Sequence, residues 1–281
     1  MTATRGLLEY CNHREWQSHH FGLPAKRWNA LAGKVVWITG AGTGFGAAIA
    51  TILAAAKARP VLSGRRQAKL EEVRDGMRAL GVDPSLALIV QCDVTSETEL
   101  QAAVRRIEAE AGALHGLVVC AALPQQRTSP WPLADLPRER WQAMLDTNVT
   151  APWLTARTAL PLMLRLHAAR IVMFTSEAGW ASTPGFGPYN LTKAALNTLG
   201  ASLAAETAAR DAEADIQINV LNPGEARSEM NLGSTVSPYT AVAMTLALLS
   251  HPPGGPNGCF FSRDGRHLEF AYAKAWHSPL I

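Results

Sequence analysis

The chain has 281 residues, a length that fits one large α/β domain or two small ones. Hydrophobic residues make up 48% and charged residues 17%, an ordinary globular balance that can fill a substantial core. The formal net charge of +3 comes from 26 basic and 23 acidic residues, scattered rather than bunched, which argues against a nucleic-acid binder with its stripe of Lys and Arg.

Residues 1–33 show no clear periodicity and read as an N-terminal extension. Met1 to Phe21 carries Arg5, Glu9, Arg14 and Glu15 and no long apolar core, which speaks against a secretory signal. No stretch reaches the roughly 20 uninterrupted apolar residues that a membrane helix needs. The expectation is a cytoplasmic protein that spans no membrane. Cys11, His13, His19 and His20 lack the tight paired spacing of metal ligands, so this segment is read as a surface arm or interface. The four cysteines, Cys11, Cys92, Cys120 and Cys259, form no CxxC pair and read as free thiols.

From Lys34 the pattern becomes regular. Val35 to Thr39 is a β-branched apolar run ending at glycines, the mark of a buried parallel strand. Ala47 to Ala58 is rich in helix formers, Arg59 to Ser63 is a second strand, and Gln67 to Leu80 is an amphipathic helix. Leu86 to Cys92 reads as a third strand. A helix from Ser96 follows, with Ser96 and Glu99 placed for a capping box.

Further strands are predicted over Leu117–Ala121, Ile171–Thr175, Ile216–Leu221 and Cys259–Ser262. Arg138 to Leu166 fits a long helix or helix pair, and Tyr189–Arg210 and Val236–Leu249 fit helices. Strands alternating with helices imply right-handed crossovers, hence a Rossmann-like doubly wound parallel α/β sheet of about seven strands with helices on both faces. One domain is expected over 34–265, with a C-terminal tail over 266–281.

Between the first strand and first helix lies Thr39-Gly40-Ala41-Gly42-Thr43-Gly44-Phe45-Gly46. Glycines here allow a tight turn and close backbone approach to a pyrophosphate, while the helix N-terminus offers N–H donors and partial positive charge. Farther along, Tyr189 and Lys193 stand four apart and so share one helical face. An ammonium beside a phenol favours tyrosinate, which predicts a Tyr189 pKa below the usual value of about 10. A phenol so tuned can exchange a proton with an alkoxide or alcohol near neutral pH.

The glycine spacing, together with Asn148, Ser176, Tyr189 and Lys193 in that order, resembles the short-chain dehydrogenase/reductase family over roughly residues 34 to 265. That resemblance implies a hydride transfer between NAD(P)(H) and a carbonyl or alcohol, with Tyr189 as acid/base. Lys193 would depress the phenol's pKa and bond the nicotinamide ribose, Ser176 would orient the substrate oxygen, and Asn148 would hold a proton-relaying water. The glycine turn, through Gly40, Thr43, Gly44, Phe45 and Gly46, would cradle the cofactor. Asp93 and Val94 would meet adenine, Ala121 would lie against the cofactor, Pro223-Gly224 would flank the nicotinamide, and Ser228 would bond its carboxamide. Relatives commonly form dimers or tetramers through the last strand and the helices matching Arg138–Leu166 and Tyr189–Arg210. A homotetramer or homodimer is therefore expected, with Leu268–Trp276 against a neighbour or over the cleft.

The chain departs from the family after the fourth strand, where Val119-Cys120-Ala121-Ala122 replaces the usual Asn-Asn-Ala-Gly. Weaker polar support there, rather than lost binding, is the expectation. At the end of the second strand, Ser63-Gly64-Arg65-Arg66 has no carboxylate to repel a 2′-phosphate, and arginine forks suit phosphate, so NADP is favoured over NAD. Trp180 and Phe186, with Leu123 to Trp131, either line a substrate pocket or pack in the core. Alternatives are a non-catalytic dinucleotide sensor, though such relatives typically lose the tyrosine or lysine, and an epimerase or dehydratase using the cofactor transiently.

Overall fold

A computed structural model describes residues 19–124, 132–180 and 184–267. Cys11, His13, Trp131 and the run Leu268–Trp276, singled out above, lie outside the described residues.

Seven strands form one sheet: β1 Val35–Thr39, β2 Arg59–Ser63, β3 Leu88–Ile89, β4 Gly116–Val119, β5 Ala168–Phe174, β6 Asp215–Asn222 and β7 Phe260–Ser262. Their order is β3-β2-β1-β4-β5-β6-β7, and every neighbouring pair is parallel. The direction of winding reverses between β1 and β4. At such a switch point the two loops leaving the strand ends diverge and open a crevice above the carboxyl edge of the sheet.

Strand side chains alternate between two apolar layers. Val36 and Ile38 of β1 face one layer and Val35 and Trp37 the other, as a two-residue period requires. The first layer holds α1 Ala25–Asn29, α2 Gly44–Ala55, α3 Gln67–Ala79 and α8 Val242–Leu249. The second holds α4 Glu97–Ala111, α6 Ala151–Leu164 and α7 Gly187–Arg210. A remaining helix, α5 Arg138–Leu145, runs into α6 through a π turn at Asp146–Thr150. Among the described residues, no helix is long and apolar enough to cross a membrane.

The third strand is shorter than the expected Leu86–Cys92. Val90 and Cys92 still donate to Leu62 and Gly64, at 3.0 and 3.1 Å. The Val90 carbonyl, however, is taken by the Ser63 hydroxyl at 2.7 Å rather than by a strand amide, so the ladder stops after Ile89. That hydroxyl also accepts the indole N–H of fully buried Trp37 at 2.7 Å, which satisfies the one polar atom of this core side chain. The capping box forms by half. Ser96 accepts from the Glu99 amide at 3.3 Å, whereas Glu99 reaches back to the Asp93 amide, at 2.8 Å, instead of to Ser96. The helix expected over Val236–Leu249 begins as a 3₁₀ turn at Pro238–Ala241 and becomes α-helical at Val242.

Candidate active site

A cleft of about 530 Å³ opens at the carboxyl edge of the sheet. Every site residue expected from the sequence lines it except Asn148: Gly40, Thr43, Gly44, Phe45, Gly46, Arg65, Arg66, Asp93, Val94, Ala121, Ser176, Tyr189, Lys193, Pro223, Gly224 and Ser228.

Its floor is the glycine turn. A Cβ at Gly40 would stand 2.8 Å from the Ala121 amide nitrogen, and Gly40 has φ +69°, so both space and backbone conformation demand glycine. At Gly46 a Cβ would meet the Gly40 carbonyl at 2.4 Å, which is what lets α2 start directly against β1. Thr43 sits at the N-cap of α2 without a side-chain capping bond. The leading amides of α2 therefore face the cleft with the helix dipole behind them, a fitting cradle for a dinucleotide pyrophosphate.

The catalytic candidates converge from β5 and α7. Strand β5 ends at Phe174, and Ser176 follows, its hydroxyl accepting from the Ala178 amide at 3.2 Å. Helix α7 lies close on the sheet, since a Cβ at Gly200 would be 2.4 Å from Val220 Cγ2. Its first turn carries Tyr189 and its second Lys193, with the Lys193 ammonium 5.5 Å from the Tyr189 ring centroid. The Ser176 hydroxyl lies near enough to the Tyr189 phenol to favour its ionised form.

The electrostatics depart from the expectation that Lys193 lowers the phenol's pKa. Burial pushes Tyr189 above its ordinary value, and the nearby Ser176 hydroxyl only partly offsets it. Burial also brings Lys193 down to about 8, and its ammonium donates to the Phe174 carbonyl at 2.9 Å. Cys120, beside Lys193, is likewise pushed up by burial, an environment that does not activate a thiol. In the third strand's extension, Cys92 is raised to about 12 for the same reason.

Asn148 stands behind the cleft wall, fully buried in the π turn between α5 and α6. Its carboxamide brackets one residue, accepting from the Leu123 amide at 2.7 Å and donating to the Leu123 carbonyl at 3.0 Å. It also donates to Thr192 Oγ1 of α7 at 3.3 Å. The Ala121 amide is held by the Thr39 hydroxyl at 3.4 Å. Within Val119–Ala122 the Thr39 bond supplies polar support, and Asn148 anchors the next residue, Leu123.

At the far end of the cleft, Asp93 is held below the usual carboxylate range. Burial opposes the shift, but bonds from the Thr95 amide and hydroxyl and the Arg65 charge outweigh it. Arg66 is paired with Glu229, Nη2 to Oε2, at 2.5 Å. The arginine pair is therefore not free of carboxylates, as the sequence around it had suggested. Neither Trp180 nor Phe186 lines the cleft: Trp180 packs edge-on against Phe260 at 6.1 Å, and Phe186 is the N-cap of α7.

Two positioning contacts escaped the sequence reading. Thr175, just before Ser176, donates to Asn197 of α7 at 2.5 Å, and both are buried. Asn197 lies four residues after Lys193, a spacing that could have flagged it. Arg263, just beyond β7, donates to the Pro223 and Glu225 carbonyls at 3.3 and 3.0 Å and so pins the Pro223-Gly224 turn. Only the pairing of β7 with β6 brings it there.

The sheet order and the glycine turn at its switch point define a doubly wound α/β scaffold with a cleft at its carboxyl edge. Residues 34–236 match the family model of short chain dehydrogenases, and the chain belongs to that family. It is 30% identical over 194 residues to an uncharacterized oxidoreductase of Staphylococcus aureus, covering 69% of this chain and 78% of that protein. It is also 30% identical over 259 residues to the human dehydrogenase/reductase SDR family member 4, covering 90% of this chain and 88% of that one. Among solved structures, a short chain dehydrogenase from Mycobacterium smegmatis superposes with a TM-score of 0.72 at 29% identity, over 84% of this chain and 93% of that one. A short-chain type dehydrogenase/reductase from Mycobacterium ulcerans gives 0.73 at 25% identity, over 82% and 88%.

Proposed function

We propose that the protein transfers a hydride between NADP(H) and a small carbonyl or alcohol substrate, with Tyr189 as the acid/base. The observation that carries this reading is the gathering of Ser176, Tyr189 and Lys193 in the same cleft as an uncapped α2 N-terminus and a glycine cradle. When bound, the nicotinamide cofactor supplies or accepts the hydride, and the protein contributes position and electrostatics.

In the reducing direction, a phenol with a raised pKa is protonated at neutral pH and suited to giving its proton to a developing alkoxide. Ser176, which shares the cleft with that phenol, would hold the substrate oxygen beside it and stabilise its charge. Lys193 would place a cation under Tyr189 and reach the nicotinamide ribose. Asn148 would keep the Leu123 wall in place and serve the proton relay through Lys193. Gly40, Thr43 to Gly46 and Ala121 would seat the pyrophosphate side of the cofactor, Asp93 and Val94 the adenine, and Pro223, Gly224 and Ser228 the nicotinamide.

Two exposed arginines at the end of β2, Arg65 and Arg66, support NADP over NAD. A homodimer or homotetramer is supported by exposed Trp153 on α6 and Leu191 on α7, large apolar side chains on helices that relatives use for assembly. Titrating a panel of alcohols and carbonyl compounds while following NAD(P)H absorbance tests the activity. Substrate-dependent change in absorbance supports it, and none across aliphatic, cyclic and aromatic substrates with either cofactor contradicts it.

A further inference from the structure

Arg66 lies at the N-cap of α3 and Glu229 lies 163 positions later, yet their side chains meet at 2.5 Å across the mouth of the cleft. Glu229 is presented by a short, well-built turn. Ser228 and Asn231 form an antiparallel bridge, with the Asn231 amide donating to the Ser228 carbonyl at 3.0 Å. The loop is closed at its base by the Arg227 amide on the Val236 carbonyl at 2.7 Å. Ser228 also rests on the glycine turn, since a Cβ at Gly44 would come within 3.1 Å of Ser228 Cβ. Glu229 and Met230 therefore sit at the tip of a turn whose base is fixed against the cofactor cradle.

Arg66 is one of the two arginines on which a preference for NADP rests, so the inference depends on that reading. We propose that Glu229 is a cofactor-discriminating residue: it pairs with the Arg66 guanidinium, and a 2′-phosphate must displace it to bind there. NADPH then binds with release of the 228–231 turn from Arg66, whereas NADH, lacking the phosphate, leaves the ion pair intact. Both side chains are well exposed, at 57% and 45%, so the pair is weak and a dianionic phosphate can compete for the arginine. The effect is one of degree: Glu229 trims a preference that Arg65 and Arg66 create.

Calorimetric or fluorescence titration of NADPH and NADH into the full-length protein, Glu229→Gln, Glu229→Ala and Arg66→Ala tests the proposal by binding alone. The parent's ratio of NADPH to NADH affinity tests the NADP reading, which a preference for NADH would overturn. Displacement by phosphate is tested separately by the change in that ratio. Both Glu229 variants are expected to gain NADPH affinity by up to about five-fold, the range of an exposed ion pair, with NADH unchanged. In the Arg66→Ala background the same substitutions should have no effect, because the competed group is gone. Unchanged NADPH affinity in both Glu229 variants, or a ratio that rises only because NADH weakens, would overturn the proposal.

Discussion

Lys193 gives its ammonium to a backbone carbonyl, that of Phe174 at 2.9 Å, and not to a carboxylate. A buried cation with only a neutral acceptor is costly, and its pKa falls to about 8. In the unfolded chain the same lysine titrates near its ordinary value, so between about pH 8 and 10.5 the unfolded state binds more protons and stability rises with pH. Below pH 8 the native state carries the full penalty, roughly 3 kcal/mol for a drop of this size.

Lys193→Met should therefore melt at a higher temperature than the parent at pH 7 while losing activity, and the advantage should shrink as pH approaches 10. Paired melting curves of both proteins from pH 7 to 10 check this. A variant less stable than the parent at pH 7 would show that the Phe174 bond outweighs the buried charge.

The glycine turn makes a second prediction. Gly46→Ala places a methyl 2.4 Å from the Gly40 carbonyl, a backbone atom that cannot swing aside. The expected cost is about 1–3 kcal/mol of stability, together with a loss of dinucleotide affinity as the turn shifts. Denaturant unfolding and NADPH titration report the two effects, and a variant matching the parent in both would mean that the turn is not held as tightly as described.

The Thr175–Asn197 bond ties the end of β5, next to Ser176, to the helix that carries Tyr189 and Lys193. Removing one partner leaves a buried polar atom unsatisfied at a cost of about 1–3 kcal/mol. Asn197→Ala should also lower kcat more than it raises KM, because the distance between Ser176 and Tyr189 is no longer set. Steady-state kinetics showing the reverse split would assign Asn197 a purely structural role.

Much of this arrangement could be read directly from the chain, because it is written in local patterns. The buried runs at Val35–Thr39 and Ile216–Leu221, the glycine turn and the four-residue spacing of Tyr189 and Lys193 all declare themselves within a few residues. What escaped depends on distant parts of the chain meeting. Glu229 cancels part of the Arg66 charge only because the sheet order sets β2 and the loop after β6 around one crevice. Arg263 reaches the Pro223-Gly224 turn only because β7 pairs with β6. The direction of the Tyr189 shift was missed because burial, which spacing does not show, dominates it. Trp180 was ambiguous between pocket and core for the same reason, and Phe260 settles it as core.

The proposed function turns on the Tyr189 phenol transferring the proton that accompanies hydride transfer. Tyr189→Phe removes only that hydroxyl and keeps the ring against Lys193, so cofactor affinity should stay within about two-fold of the parent while turnover falls by at least about 10²-fold. Measuring both on the same preparation, NADPH binding by titration and kcat by NADPH absorbance, gives the most direct test. Retained binding with abolished turnover is the result predicted, and a variant that turns over substrate at close to the parent rate would contradict the account.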